Sequence, residues 1–284
     1  MSVAADARTG GTATADFWCD EYRLNALIAR CPKPYVALMD GIVMGGGVSF
    51  SAHGSVRIVT ERSRIAMPET GIGFVPDVGG TYLLAPAPGE LGTHLALTGA
   101  PVGAADALLC GLADHFVPAS ALPALARELA VDSVHAVTER HAAEPPAGRL
   151  SAAREWIDSC YAAEEIVVRL LASGVPAAKN AADTLLSKSP TAVKVTLAAL
   201  RRARRLGPLE RVLEQEYRVS CAALDSPDLV EGIRAQVVDK DRAPRWSPAA
   251  LTDVTRADVD RFFAPLGANE LRLAATGSSQ EVVW

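Results

Sequence analysis

The sequence contains no C-x-x-C pair and no cluster of metal-ligating cysteines: Cys19, Cys31, Cys110, Cys160 and Cys221 are scattered along it. An odd number of widely spaced cysteines argues against a disulfide framework and fits a reducing compartment. No run approaches the ~20 apolar residues that span a bilayer. The first sixteen residues also lack the apolar stretch of a secretory signal, so the cytosol is the expected location and no membrane contact is expected. Positive charge is not in excess. With 28 Lys and Arg against 33 Asp and Glu, the net charge of −5 argues against nucleic acid as a general partner. The basic cluster Arg201-Arg202-Ala203-Arg204-Arg205 is local, and is either a solvated helix face or a phosphate-contacting patch. The histidines His53, His94, His115, His135 and His141 show no H-E-x-x-H or comparable spacing, so they read as core or surface residues and no metal is expected. There is no internal repeat, no G-x-G-x-x-G and no G-x-S-x-G. Gly71-Ile72-Gly73 runs into Phe74-Val75-Pro76, and Gly47-Val48-Ser49-Phe50 is followed by Ser51 where glycine is required.

What is present is ordinary globular material, 49% hydrophobic, organised around residues 34–80. An apolar run at 35–39 reads as a buried strand closed by Asp40-Gly41. The three glycines Gly45, Gly46 and Gly47 follow, leading into small residues that can start a helix. Glycine permits close backbone approach, and the first N–H groups of a helix are unpaired donors in a positive end field. Such a turn either holds a substrate oxygen or serves only as tight packing. Downstream, Glu69 and Asp77 stand on irregular backbone set by Pro68, Gly71, Gly73, Pro76, Gly79 and Gly80. Donors for an oxyanion beside a carboxylate pair outline acyl-transfer or proton-transfer chemistry.

The wider pattern predicts a loose arm over 1–16, with Asp16 capping a helix through Phe17, Tyr22 and Ile28. Strands are expected at 56–60, 64–67 and 113–117, and helices at 48–53, 80–84, 90–97, 103–109 and 122–129. Alternation of strand and helix over 35–117 says α/β. From 151 nearly everything has helical period, with Pro176, Pro190, Pro208 and Pro227 at helix starts, where a missing N–H costs nothing. The expected organisation is an arm (1–16), an α/β core (17–150), a helical lobe (151–267) without legible chemistry, and a tail (268–284).

Residues 22–98 resemble the crotonase (enoyl-CoA hydratase/isomerase) superfamily, and most closely its 3-hydroxyisobutyryl-CoA hydrolase branch. The resemblance is carried by E-Y-R-L-N, K-P-Y-V-A-L-M-D-G-I-V-M-G-G-G-V, A-M-P-E-T-G-I-G-F-V-P-D-V-G-G and L-A-L-T-G. It continues through S-P-T-A-V-K-V-T, L-E-Q-E-Y-R-V-S and E-G-I-R-A-Q-V-V-D-K-D-R-A-P-R-W, covering about 17–273. It implies a crotonase-like core of ββα units with a helical C-terminal lobe, an acyl-CoA thioester as substrate, and no separate cofactor, coenzyme A being part of the substrate. Gly46, with Gly45 beside it, would hold the thioester oxygen. Glu69 and Asp77 would be the catalytic carboxylates, and Glu21 an acid contacting the substrate hydroxyl. Family hydratases carry glycine where this chain has Asp77, and a second glutamate where it has His94; both departures favour hydrolysis.

Family members also carry strands and an A-G-G-D-like loop ahead of the region matching Phe17, so the resemblance implies an N-terminally shortened core with one oxyanion donor missing. Such a loss typically costs ~10²–10³ in rate. The expected activity is hydrolysis of 3-hydroxyisobutyryl-CoA, as in valine breakdown. The rivals are a hydratase or isomerase, and a non-catalytic acyl-CoA-binding relative. By resemblance the helical half either associates in a homo-oligomer or serves as a lid on its own core.

Overall fold

A computed structural model of the chain describes Asp6, residues 11–163 and residues 165–273. Helix α1 (Ala13–Ala29) leads into strand β1 (Val36–Met39), strand β2 (Ile42–Met44) and the short helix α2 (Gly46–Ser51). The same order then repeats with β3 (Val56–Val59), β4 (Arg64–Ala66), a 3-10 turn (Glu69–Ile72) and α3 (Gly80–Leu84). Next come α4 (Leu91–Thr98), α5 (Ala104–Leu109), β5 (His115–Phe116), α6 (Leu122–Glu128) and α7 (Val134–His141). The rest is helical: α8 (Leu150–Tyr161), α9 (Ile166–Ala172), α10 (Pro176–Ser187), α11 (Pro190–Leu206), α12 (Leu209–Leu224), α13 (Pro227–Ile233) and α14 (Arg256–Asp260).

Each β-corner-β unit gives one strand to each of two parallel sheets. β3 is central between β1 and β5, and β2 pairs with β4. The corners are tied by side chains rather than by backbone ladders. Asp40 accepts from the Thr60 hydroxyl at 2.6 Å and from Arg62 Nε at 2.9 Å, and the Ser63 hydroxyl donates to the Met39 carbonyl at 2.6 Å. Stacking unit on unit fixes the register, with Val36 opposite Val56 and Met44 opposite Ala66. The outgoing ends of β2 and β4 therefore lie side by side, and whatever follows each strand meets at one end of one sheet. In parallel sheets that end is where ligands bind.

Sequence reading locates most of these elements to within a few residues and overlooks two. β2 is only three residues long, too short for a period to show. α7 is written V-H-A-V-T-E-R-H, poor in strong helix formers; its start is fixed by the Ser133 hydroxyl accepting from the Ala136 N–H. The arm and the tail are shorter than expected. α1 begins at Ala13, three residues before Asp16, and the buried Asp6 carboxylate accepts the Thr14 N–H at 2.5 Å. At the other end Leu271 and Leu273 are buried and the Leu273 N–H donates to Glu214. The remainder of the expected arm, and residues 274–284 of the expected tail, lie outside the described residues.

The boundary expected at residue 150 is not a break in the core. One cluster of buried apolar side chains runs from Trp18 and Tyr22 through Leu84 and Leu97 to Leu200, Leu213 and Leu273. α11 packs on α3 and α4, and α12 packs on α1 and α3. The helical half is thus a second wall of the same core. Arg204, in the basic cluster, serves this joint by donating to the Ala85 carbonyl and pairing with Glu90. Arg202 pairs with Asp260 and lies over the Phe263 ring. No described helix is long and apolar enough to cross a membrane.

A single hydrogen bond reports on this joint, between the Tyr22 and Ser220 hydroxyls at 2.7 Å, both residues buried. Tyr22→Phe leaves the Ser220 hydroxyl without that partner. It is expected to lower stability by about 1–2 kcal/mol in urea unfolding. Near- and far-ultraviolet dichroism should follow one coincident transition; two separate transitions would mean two independent cores.

Candidate active site

Two chain turns meet at the end of the β2–β4 pair. The first follows β2: Gly45, at φ +51°, caps α2, which starts at Gly46. The Val48 and Ser49 N–H groups already donate to the Gly45 carbonyl. That leaves Gly46 and Gly47 to supply the outward donors of this helix end. A Cβ placed on Gly45 or Gly46 would meet no protein atom within 4 Å. Glycine at 45 answers to backbone conformation, whereas Gly46 is exposed and no protein atom demands glycine there.

The second turn follows β4. Three residues beyond Ala66, Glu69 opens the 3-10 turn with its side chain only 6% exposed, and no described protein group hydrogen-bonds its Oε2. Burial pushes the Glu69 pKa up to about 8, with Glu216 adding to the rise. Asp77, 8% exposed, is raised well above the ordinary carboxylate range, first by burial and then by Glu69, Glu21 and Glu216. Glu21 arrives from α1, which is docked on α2 by Asn25 donating to the Ser49 carbonyl and hydroxyl at 2.9 Å. Its pKa is raised by burial and moderated by a hydrogen bond with Ser49. α13 closes the floor: a Cβ on Gly232 would fall 2.2 Å from the Ile72 carbonyl carbon, so the helix can approach this turn only with glycine there.

Asp77 heads a strained turn. Val78 has φ +51°, a left-handed conformation that costs a β-branched residue about 1–3 kcal/mol. Two side chains grip the turn. His53 Nε2 lies 2.6 Å from the Val78 carbonyl. A carbonyl only accepts, so the ring proton is on Nε2, and burial pushes the His53 pKa down and keeps the ring neutral. From α12, the Glu216 carboxylate accepts the Gly79 N–H at 2.6 Å, the Thr81 N–H at 2.9 Å and the Thr81 hydroxyl at 2.5 Å. Burial raises the Glu216 pKa to about 7 against the lowering effect of those three donors.

The residues expected from the sequence fall as follows. Gly45 and Gly46 follow the end of β2, Glu69 and Asp77 follow the end of the β4 strand paired with it, and Glu69 and Glu21 lie within electrostatic range of Asp77. Among the described residues none of the four carboxylates Glu21, Glu69, Asp77 and Glu216 forms an ion pair, and no three His, Cys, Asp or Glu side chains are arranged to hold a metal ion. Like charges so close in a dry site cannot all ionise, which divides the group into proton donors and acceptors near neutral pH. His94 stands apart. Its Nδ1 meets the Tyr161 hydroxyl at 2.8 Å, its ring packs on Trp156 and Tyr161, and burial drives its pKa down to about 4.

Sequence reading missed His53 and Glu216, taking the first as a bland core residue and the helical half as free of chemistry. Glu216 did leave a signal. It falls on the stripe Leu209, Val212, Leu213 and Ser220 that α12 buries, a charge where the period calls for an apolar residue.

The enoyl-CoA hydratase/isomerase family model matches residues 1–263. The chain is 41% identical over 288 residues to the mitochondrial 3-hydroxyisobutyryl-CoA hydrolase of Gallus gallus, covering 96% of this chain and 74% of that protein. The Homo sapiens protein of the same name is 39% identical over 270 residues, with 90% and 70% covered. Among solved structures, a carnitinyl-CoA dehydratase from Mycobacterium thermoresistibile superposes with a TM-score of 0.91 at 53% identity, covering 96% of this chain and 80% of that one. An enoyl-CoA hydratase from Rhodobacter sphaeroides 2.4.1 follows at 0.87 and 42%, covering 95% and 80%.

The raised pKa of Glu69 has a sign that can be tested. Its folded value of about 8 lies above the ordinary 4.5, so the native state holds a proton that the unfolded chain releases between those pH values. Stability from this group is therefore full below about pH 4.5 and is lost as pH rises toward 8. Glu69→Gln is expected to raise the unfolding free energy at pH 9 by on the order of 2 kcal/mol or more and to leave it unchanged at pH 4. Urea titrations at the two pH values check this; equal effects at both would mean that Glu69 is not held protonated.

Proposed function

The chain belongs to the enoyl-CoA hydratase/isomerase family, and from that membership we propose that it hydrolyses a short branched 3-hydroxyacyl-CoA thioester, 3-hydroxyisobutyryl-CoA in the first instance, as in valine breakdown. The observation that carries the proposal is the meeting of Gly46, at the end of β2, with Glu69 and Asp77 beyond the end of β4, where the Glu69 Oε2 has no described protein partner. In this reading the thioester oxygen rests against the Gly46 N–H, where negative charge develops as the carbonyl carbon is attacked.

Two routes are open to Glu69. As a nucleophile its carboxylate attacks the carbonyl carbon, the C–S bond breaks, and a mixed anhydride forms; water then cleaves the anhydride and restores the carboxylate. As a general base it takes a proton from the water that attacks directly. In either route protonated Asp77 gives its proton to the departing thiolate. Glu21, reaching over from α1, faces the substrate hydroxyl. The burial of both carboxylates supports this division, since it keeps a proton available on one member of the pair near neutral pH.

A second reading, addition of water to an enoyl-CoA, is favoured by the likeness to the carnitinyl-CoA dehydratase and enoyl-CoA hydratase structures. His94 speaks against it. At the position where the family resemblance puts a second catalytic glutamate, this chain has a neutral imidazole engaged with Tyr161.

Free-thiol release from 3-hydroxyisobutyryl-CoA decides between the two. Hydrolysis predicts thiol release that falls about 10³-fold or more in Glu69→Gln. Hydration of crotonyl-CoA without thiol release would establish the other reading. Gly46→Ala should melt with the wild type, since its added methyl meets no protein atom, yet lose about 10–100-fold in kcat/KM by occupying the space of the thioester oxygen. Unchanged kinetics in that variant would remove Gly46 from the site.

A further inference from the structure

The helical half meets the 77–81 turn with the Glu216 carboxylate. Without support the loop has little reason to keep its shape: Pro76 precedes Asp77, Val78 sits in a disfavoured conformation, and Gly79 and Gly80 follow. Gly79 opens α3 as its N-cap and has no side chain with which to cap it. Glu216, 137 positions further along the chain, takes that place, with Oε2 accepting from Gly79 N–H and Oε1 from Thr81 N–H and hydroxyl. Three donors converge on one carboxylate that is 1% exposed, an arrangement that only the anion satisfies fully. On the opposite side His53 donates to the Val78 carbonyl and lies so close to Gly79 that a Cβ there would be 2.4 Å from its Cε1. The turn is held between the helix that carries Gly46 and the helix that carries Glu216.

We propose that Glu216 is a positioning residue for the reaction, holding the 77–81 turn in the one conformation that presents Asp77 to Glu69, with His53 as its counterpart from the α2 side. The proposal rests on the hydrolase reading for its kinetic readout alone. A cap for α3 could be made by an uncharged side chain; a charge at this place also acts on the reaction. The groups facing Asp77 are Glu69 on the 3-10 turn, Glu21 and Tyr22 on α1, His53 after α2, and Glu216 on α12, with Lys188 Nζ close to Gly71 on the far side of that turn. Glu69, Glu21 and Glu216 each raise Asp77, and Glu216 also raises Glu69, so the Glu216 anion helps keep Asp77 protonated.

The test is Glu216→Gln, which removes the charge and turns an amide donor toward one of the three donors. Its kcat for thiol release is expected to fall about 10–100-fold with KM within about twofold, a loss confined to the reacting state. Both limbs of its pH profile should move to lower pH, because Glu69 and Asp77 lose a neighbouring negative charge. Glu216→Asp keeps the charge at a shorter reach, and should lose kcat while its limbs stay in place. Amide hydrogen exchange at Gly79 and Thr81, measured without substrate, should quicken about tenfold or more in the Gln variant.

Wild-type kcat and unmoved limbs in Glu216→Gln would overturn the proposal. A wild type that releases no thiol would defeat the hydrolase reading alone, and exchange at Gly79 and Thr81 would then decide, unchanged rates overturning the positioning role. If the Gln variant does not fold, Thr81→Val removes only the hydroxyl donor and carries the same comparison. The Glu216 charge stays in that variant, so a fall in kcat with unmoved limbs and quicker exchange at Gly79 supports the proposal, and wild-type kcat with unchanged exchange overturns it.

Discussion

Burying carboxylates without cations beside them is the constraint on which the rest of this structure depends. Each buried charge costs several kcal/mol unless it is hydrogen-bonded, paired or neutralised. Among the described residues, the site uses two of these remedies and not the third. Glu216 is satisfied by three donors from the loop it holds, and Glu69 and Asp77 shift toward their neutral forms. Pairing with arginine is used elsewhere, at Asp40, Asp114 and Glu231, all less buried than the site. A guanidinium among the site carboxylates would lower their pKa values and remove the protons that the proposed acyl chemistry uses.

The fold makes such burial possible by bringing many elements to one place. β2 and β4 set the rims by register, α1 covers one side, and α12 and α13 close the other. None of these contacts is strong alone. The Val78 conformation is kept because backbone donors, a backbone acceptor and close packing at Gly79 fix it from several directions. Strain of this kind, stored at a site and held by its surroundings, fits a loop shaped for chemistry more than for stability.

Residue types on irregular backbone made the site legible in the sequence. Three adjacent glycines after a strand, and two carboxylates bracketed by proline and glycine, have few purely structural uses together, and in the fold Glu69 and Asp77 are buried beyond the strand that pairs with the one leading into Gly46. Proline at the start of α10, α11 and α13 located those helices for an equally local reason. β2 was invisible because three apolar residues carry no period. Glu216 and His53 were invisible because their roles depend on partners 135 and 25 positions away in sequence, at Thr81 and Val78. Local pattern can say that a charge lies on an apolar stripe; it cannot say which loop that charge will meet. The change of period at 151 marks the start of the helical half, and the core of buried apolar side chains continues across it, which no local period can report.

The distance along the chain between Gly79 and Glu216 bears on how the protein is made. At roughly 5–20 residues per second of synthesis, the residue that holds the loop follows it by on the order of ten seconds. During that interval the strands and the glycine turn can form from contacts near in sequence, while the carboxylate loop lacks its clamp and the core lacks its second wall. Closing so long a connection is slow and exposes apolar surface until it is done. The carboxylate loop is therefore among the last parts of the molecule to take its shape, and a chain arrested before α12 would carry Glu69 and Asp77 without the helix that holds their loop in place.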